Sequence, residues 1–331
     1  MAERGRWSPV AILEWALVVS LAKVFDWLPE SAAYALGEGA GRLAFRFDRR
    51  HRTIAVENLM RAFPGEYTPV ELERLARAVF ENLGRTAVDV ARSDRLLREG
   101  KADAIQFDGL NRLQEARNRG KGVLVITAHS GPWELSLLIT ALRFEPVYVV
   151  ARPLDNPRLD DLVTALRERG GNQVIRKRDA VQAILQALRR GKTVAILIDQ
   201  HVAEREGVVV PFFGRPASTA YAPALIAMRS GAAVLPAVGM QQGRAQYRVA
   251  FGEEVPVRRS GDLRADLAEN TARFTAAIEA FIRKHPEEWF WVHRRWKTRH
   301  PLDPRLAGDG TRPRQKTEGV GGDRPRDAGI K

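Results

Sequence analysis

From residue 123 onward the chain alternates short apolar runs with amphipathic stretches. The runs 123–127, 147–150, 194–198, 208–213, 234–238 and 247–251 are β-branched or aliphatic and too short for helices, so each predicts a strand. Helical spacing fills the intervals 132–143, 156–169, 179–190 and 220–229. Gly191 and Gly231 stand where helix C-caps belong, each just ahead of a strand. This alternation predicts an α/β fold with a mainly parallel central sheet flanked by helices. A last helix is expected over 262–284. After Pro301 the large apolar residues run out, which predicts a disordered basic tail over 301–331.

Upstream the pattern is helical. Val10 to Leu28 is almost continuously apolar, but Glu14, Lys23 and Asp26 interrupt it, whereas a spanning helix needs about 18 or more nearly charge-free residues. No small-residue cleavage site follows, so a signal peptide does not fit. The expectation is a helix lying on or partly in a membrane, with Trp7, Trp15 and Trp27 at the interface; a buried first helix of a soluble domain is the alternative. A second helix over 30–47 carries Ala32, Ala33, Gly37, Gly39 and Gly41, small enough for close packing. Arg46, Arg49, Arg50, His51 and Arg52 follow, a basic cluster that suits anionic headgroups and reads equally as a solvated charge run. Thr68-Pro69-Val70-Glu71 is a capping box opening a helix toward Ala91. The organisation expected is a membrane-associated helical region (1–50), an α/β domain (51–300) and the tail (301–331).

Composition narrows the function classes. With 45% hydrophobic residues in 331, the chain is too apolar to be disordered. It has no cysteine, which excludes disulfides, thiolate metal sites, a cysteine nucleophile and cysteine lipidation. Lys and Arg number 53 against 40 acids, a net +13 that favours a polyanionic partner: nucleic acid, an anionic bilayer, a phosphorylated lipid or an acidic protein. No recognition-helix, zinc-finger or RNP pattern supports nucleic acid. No Gly-x-Ser-x-Gly elbow supports a serine hydrolase.

The sharpest local feature is the stretch from Val123 to Glu134. A buried strand ends at Thr127 and puts His129 at its carboxyl end, where open α/β sheets bind ligands. With Gly131 as N-cap, Pro132 at N1 and Glu134 at N3, the turn is expected to bring the Glu134 carboxylate back to the His129 ring. An acid holding one imidazole nitrogen leaves the other free to take a proton from a hydroxyl. That is the base and orienter of a hydrolase triad without an enzyme nucleophile, an arrangement for activating a substrate alcohol. A satisfied histidine beside a capping glutamate is the plainer reading. Asp199 and His201 follow the strand 194–198 and reach the same sheet edge, but they fall short of a metal's ligand set, so no metal is expected.

The histidine, four residues, then acid pattern resembles the glycerolipid and lysophospholipid acyltransferases. More closely, the chain resembles the lipid A biosynthesis late (lauroyl/myristoyl) acyltransferases. His129 to Leu135 resembles that family's active-site block, and Arg152-Pro153-Leu154-Asp155-Asn156-Pro157 its Arg-Pro-x-x-Asn-Pro turn. Leu197-Ile198-Asp199-Gln200 resembles its strand-end aspartate, and Val210 to Gly214 with Ala217 and Thr219 its next block. Glu288 to Lys297 resembles the closing block, and Glu57-Asn58-Leu59 with Phe63-Pro64 an early one, so the matches run in order from about Asn58 to Arg299.

The resemblance implies that His129 is the general base on an acceptor hydroxyl and Glu134 its orienting acid, with no cofactor. It implies an acyl thioester on acyl carrier protein as donor, a glycolipid acceptor, an inner-membrane location with the site facing the cytoplasm, and a monomer. The oxyanion arginine of the family falls on Arg167, with Arg169 as rival, and Asp199 is the second functional acid. Arg152, Asn156, Arg169, Phe212, Phe213, Arg294 and Arg295 are the expected substrate-binding residues. Arg294, Arg295, Lys297 and Arg299 beside Trp289, Trp291 and Trp296 are expected to form an aromatic–basic membrane rim. A related group that acylates mannosylated phosphatidylinositol usually has aspartate in place of Glu134, so the glutamate leans toward lipid A.

Overall fold

A computed structural model describes residues 8–99, 105–176 and 180–297. Trp7, Asp179, Arg299 and the tail 301–331 lie outside the described residues.

The first third of the chain is a layer of helices: α1 (Pro9–Trp27), α2 (Glu30–Phe47), α3 (Arg49–Ala62), α4 (Pro69–Ala91) and the short α5 (Ser93–Arg98). Of the basic cluster, Arg46 is in the last turn of α2 and Arg49 to Arg52 open α3. Asp48 caps it, accepting a hydrogen bond from the His51 backbone N–H at 3.0 Å. The capping box forms as expected at the start of α4, where Glu71 accepts from the Thr68 backbone N–H at 2.8 Å. Small residues set the packing of α2 on α4: Gly37 and Gly84 meet backbone to backbone, and a Cβ on either would collide with the other's carbonyl oxygen. The outward stripe of α1, Val10, Leu13, Leu17, Leu21, Val24 and Trp27, is exposed, with Trp27 83% accessible. No helix among the described residues is long and apolar enough to cross a membrane.

The chain that follows builds the sheet: β1 (Gln106–Asp108), α6 (Leu110–Asn118), β2 (Val123–Thr127), α7 (Trp133–Arg143), β3 (Tyr148–Ala151), α8 (Pro157–Glu168), β4 (Gln173–Arg176), α9 (Ala180–Arg189) and β5 (Thr193–Leu197). Then come β6 (Gly207–Phe212), β7 (Arg215–Ala220), α10 (Ala222–Ser230), β8 (Ala233–Gly243), β9 (Gln246–Phe251) and α11 (Leu263–Lys284). Seven strands lie in the order β1-β9-β8-β2-β5-β3-β4. Pairing is parallel except between β8 and β9, so the expected mainly parallel sheet is what forms. Alternate side chains of the central strands feed two apolar layers. Leu124, Ile126, Val194, Ile196 and Val234 pack with α9, α10 and α11, while Val123, Val125, Ala195 and Leu235 pack with Leu113 and Ala116 of α6. Burial on both faces explains why these strands read as unbroken apolar runs.

The run 208–213 departs from expectation. It becomes β6, which leaves the sheet and pairs antiparallel with β7 across a turn at Phe213 and Gly214, both at positive φ. The helical layer is tied to the sheet edge by Asp89 of α4, which accepts hydrogen bonds from the Tyr34 hydroxyl of α2, from Tyr247 of β9 at 2.6 Å and from Gln241 of β8 at 2.8 Å. Burial pushes that carboxyl up to about 7.

Candidate active site

Strands β2 and β5 are adjacent, in register Thr127 with Leu197, so the residues that follow them emerge side by side at the carboxyl edge of the sheet. His129 and Asp199 meet there. Asp199 Oδ1 lies 2.9 Å from His129 Nδ1, and Asp199 Oδ2 accepts from the His129 backbone N–H at 2.9 Å. A third donor, the indole N–H of Trp289, reaches Oδ2 at 2.8 Å. The Asp199 side chain is 1% exposed and that of His129 22%. Burial alone would raise the Asp199 carboxyl, yet the His129 charge and the three hydrogen bonds pull it down to about 2. Burial lowers the proton affinity of His129, but the Asp199 charge and hydrogen bond outweigh it and leave the ring above its usual value. Glu134 adds to that rise and Arg167 opposes it. With Nδ1 engaged, Nε2 lies on the open side, 3.5 Å from the Gln200 amide nitrogen. The ring rests edge-on against Trp133, centroids 5.4 Å apart, and beside Phe290 at 6.2 Å.

The contact with the ring expected of Glu134 is therefore made by Asp199. Helix α7 starts at Trp133 with Pro132 as N-cap and no side-chain cap, so Glu134 sits one position earlier in the helix than N3. Gly131 takes φ +54°, where a Cβ would lie 2.6 Å from the Gly239 carbonyl oxygen and 2.8 Å from Glu288 Oε2. The chain thus enters α7 from a tight left-handed turn, and the Glu134 carboxylate is taken by Arg167 of α8. Arg167 Nε donates to Oε2 at 2.8 Å and Nη2 to Oε1, a two-point pair with side chains 15% and 13% exposed. Arg169 lies beyond the end of α8 and pairs with Asp94 of α5. Of the two rivals, Arg167 is the one whose charge acts on the His129 ring.

Glu134 and Arg167 also line a cavity of about 80 Å³ beneath α7. Its walls are mostly apolar, including Val125, Leu137, Val149, Ala195 and Phe251, and Trp133 borders it on the side of the His129 ring.

The other expected binding residues divide sharply. Arg152 is exposed, 3.8 Å from Asp155, and Arg294 is exposed as well, so both are open to a ligand. Asn156 is not: its Oδ1 caps α8, accepting from Arg158 N at 3.0 Å, while Nδ2 donates to the Ala11 carbonyl and to Glu14 Oε2, each at 2.9 Å. The Arg-Pro turn is thus a clasp on α1. Phe212 and Phe213 are core residues, and Arg295 is fully buried, donating to the Ser218 carbonyl and to the Thr219 hydroxyl. Trp289 and Trp291 are buried too, in an aromatic cluster with Phe212, Phe213 and the half-buried Trp296, so they form core and not a membrane rim. The hydrogen bond from Trp289 to Asp199 has no local signature, since the two are 90 residues apart. Among the described residues no cluster of three or more His, Cys, Asp or Glu could hold a metal.

Comparisons with known proteins match the chain to lipid A acyltransferases. A family profile described as bacterial lipid A biosynthesis acyltransferase matches residues 5–298. The chain is 30% identical over 282 residues to the lipid A biosynthesis lauroyltransferase of Escherichia coli (strain K12), covering 82% of this chain and 87% of the relative. It is 27% identical over 293 residues to the lipid A biosynthesis palmitoleoyltransferase of the same organism, covering 86% and 92%. The lipid A biosynthesis myristoyltransferase of that organism is 23% identical over 261 residues, covering 79% and 80%.

Proposed function

The chain belongs to the bacterial lipid A biosynthesis acyltransferase family and is an O-acyltransferase of lipid A biosynthesis; from that premise we propose that it moves a fatty acyl group from acyl carrier protein to a hydroxyl of a lipid A precursor, with His129 as general base and Asp199 as its orienting acid. The observation that carries the reading is the His129–Asp199 pair at the sheet edge. The buried carboxylate holds Nδ1 and the adjoining backbone N–H, which leaves Nε2 to face an incoming hydroxyl.

The step balances without an enzyme nucleophile. The acceptor O–H gives its proton to Nε2 as its oxygen bonds the thioester carbonyl carbon. The carbonyl oxygen takes up negative charge, and the carbon–sulfur bond then breaks as the imidazolium returns the proton to the leaving thiolate. Arg167 is the cation for the developing oxyanion. It stands in a largely water-excluded setting, and Glu134 fixes its fork in place before the reaction begins. The cavity beneath α7, lined also by Trp133, Glu134 and Arg167, is apolar enough to take the start of the donor's acyl chain. No dissociable cofactor enters this scheme.

Mass spectrometry of membrane lipids tests the reading. A strain lacking the gene should accumulate a lipid A species short of one acyl chain, and the wild-type gene should restore the chain. If the lipid A profile is unchanged by the deletion, the reading is wrong.

Association with the cytoplasmic face of the inner membrane is part of the same proposal. The apolar stripe of α1 and Leu36, Leu43 and Phe47 of α2 are exposed, and so are Arg42, Arg46, Arg49 and Arg50. Such a surface suits a helix lying in the interface, with each arginine adding about 1 kcal/mol near anionic lipid. The Asn156 clasp holds α1 at the sheet edge that carries His129, so a bilayer under α1 would bring the acceptor lipid close. Flotation with vesicles containing anionic lipid should show wild-type protein bound and the Leu13→Glu, Leu17→Glu double variant released. Equal flotation of the two would rule out α1 as the contact.

A further inference from the structure

We propose that Trp289 is a positioning residue for acyl transfer: its indole N–H, anchored in the closing segment, holds the Asp199 carboxylate that aims the His129 ring. The inference rests on the His129 reading above and extends it to a residue with no contact to substrate.

Three observations carry it. The first is that Asp199 Oδ2 receives two hydrogen bonds, and the one from outside the His129 turn is the Trp289 N–H at 2.8 Å. The second is that the indole has little freedom to move. It is buried, edge-on to Trp291 with centroids 4.6 Å apart and to Phe212 at 5.4 Å. The next turn is fixed to α3 by Asn58, whose Nδ2 donates to the carbonyls of Trp291 and His293, each at 2.7 Å. The third is that the same segment grips the turn that carries His129. Phe290 N–H donates to the His129 carbonyl at 3.0 Å, Gly131 N–H donates to the Glu288 carbonyl at 2.9 Å, and Ser130 forms an isolated β-bridge with Trp289. One strap therefore sets both partners of the pair, the histidine through its backbone and the aspartate through an indole.

The electrostatic consequence has a definite sign. An N–H dipole on Oδ2 offsets part of the carboxylate's charge. Without it, Asp199 presents more negative potential to the ring and the imidazolium is favoured. The other groups that act on the pair are Glu134 and Arg167 from α7 and α8, and Gln200, His293 and Arg295, none of which the substitution replaces. The acid limb of the rate profile should therefore move to higher pH.

The test compares Trp289→Phe with Trp291→Phe in a purified transfer assay. Both replacements keep a buried ring, and the Trp291 indole donates to the Pro286 carbonyl, away from the pair. Trp289→Phe should lose about tenfold in kcat, the scale of one hydrogen bond to a buried charge, at unchanged donor KM. Its acid limb should rise by about half a pH unit. The Trp291→Phe limb should stay with wild type, whatever stability that variant loses. If His129→Ala is inactive and the Trp289→Phe limb does not move, the inference is overturned while the His129 reading stands; an active His129→Ala protein would overturn the reading itself. Should Trp289→Phe not fold, nuclear magnetic resonance of wild-type protein with 15N-labelled indoles decides. The Trp289 N–H resonance should titrate with the midpoint of His129, and a resonance that ignores that midpoint would overturn the inference.

Discussion

Turnover by the His129→Ala protein is expected to fall about 10²- to 10⁴-fold, the range for loss of a general base, with the fold intact by circular dichroism. Asp199→Asn should fall in the same range for a different reason. An amide nitrogen set toward Nδ1 offers a donor where the ring needs an acceptor, so the imidazole is left in the wrong tautomer or turned away from the hydroxyl. Asp199→Ala should also cost stability, about 1–3 kcal/mol for each buried donor left unmet, because the Trp289 indole and the His129 backbone both point into that space. The wild-type rate should rise with pH through a single protonation whose midpoint lies above the ordinary imidazole value, since Asp199 favours the charged ring and the base must be neutral to act. Retention of near wild-type turnover in both His129→Ala and Asp199→Asn would remove the pair from the mechanism.

How much of this could be read from the chain depends on what each residue answers to. Strands β2 and β5 were legible because burial on both faces makes them continuous apolar runs. Strand β4, Gln173–Arg176, was not, since it is a sheet edge with exposed ends and no apolar run, and β7 contains Pro216, Ser218 and Thr219 because it pairs only within a hairpin. The position of His129 followed from the strand end before it, a local signal. The strand end before Asp199 put that residue at the same sheet edge, but its pairing with the ring was not legible. Asp199 is 70 residues away, and it reaches the ring because β5 lies next to β2, which is a fact of topology. For Glu134 the local capping rule is off by one residue. Gly131 in a left-handed turn delays the helix to Trp133, and the carboxylate then meets an arginine on α8 instead of the imidazole. The aromatic block at 289–296 looked like a membrane rim because tryptophan and arginine suit both an interface and a core. Packing on Phe212 and Phe213 makes Trp289 and Trp291 core.

Arg167 is where the second large loss is expected. Arg167→Ala should lower kcat about 10²- to 10³-fold, the size seen when one oxyanion donor is removed, with a much smaller change in donor KM. Arg169→Ala should stay close to wild type, because that side chain is engaged with Asp94 on the protein's outer side. The pair with Glu134 adds a test of sign. Glu134 favours the protonated form of His129 and Arg167 disfavours it, so removing the arginine leaves a mostly buried, unpaired carboxylate beside the ring and should move the acid limb upward. Glu134→Gln should move it downward, and it should also lower kcat by freeing the guanidinium from its two-point hold. In the double variant the two shifts should largely cancel, while the loss in kcat should fall well short of the product of the single losses, because both changes disable one unit. Additive losses in the double variant would mean that Glu134 and Arg167 act separately, and a greater loss from Arg169→Ala than from Arg167→Ala would move the oxyanion role off α8 altogether.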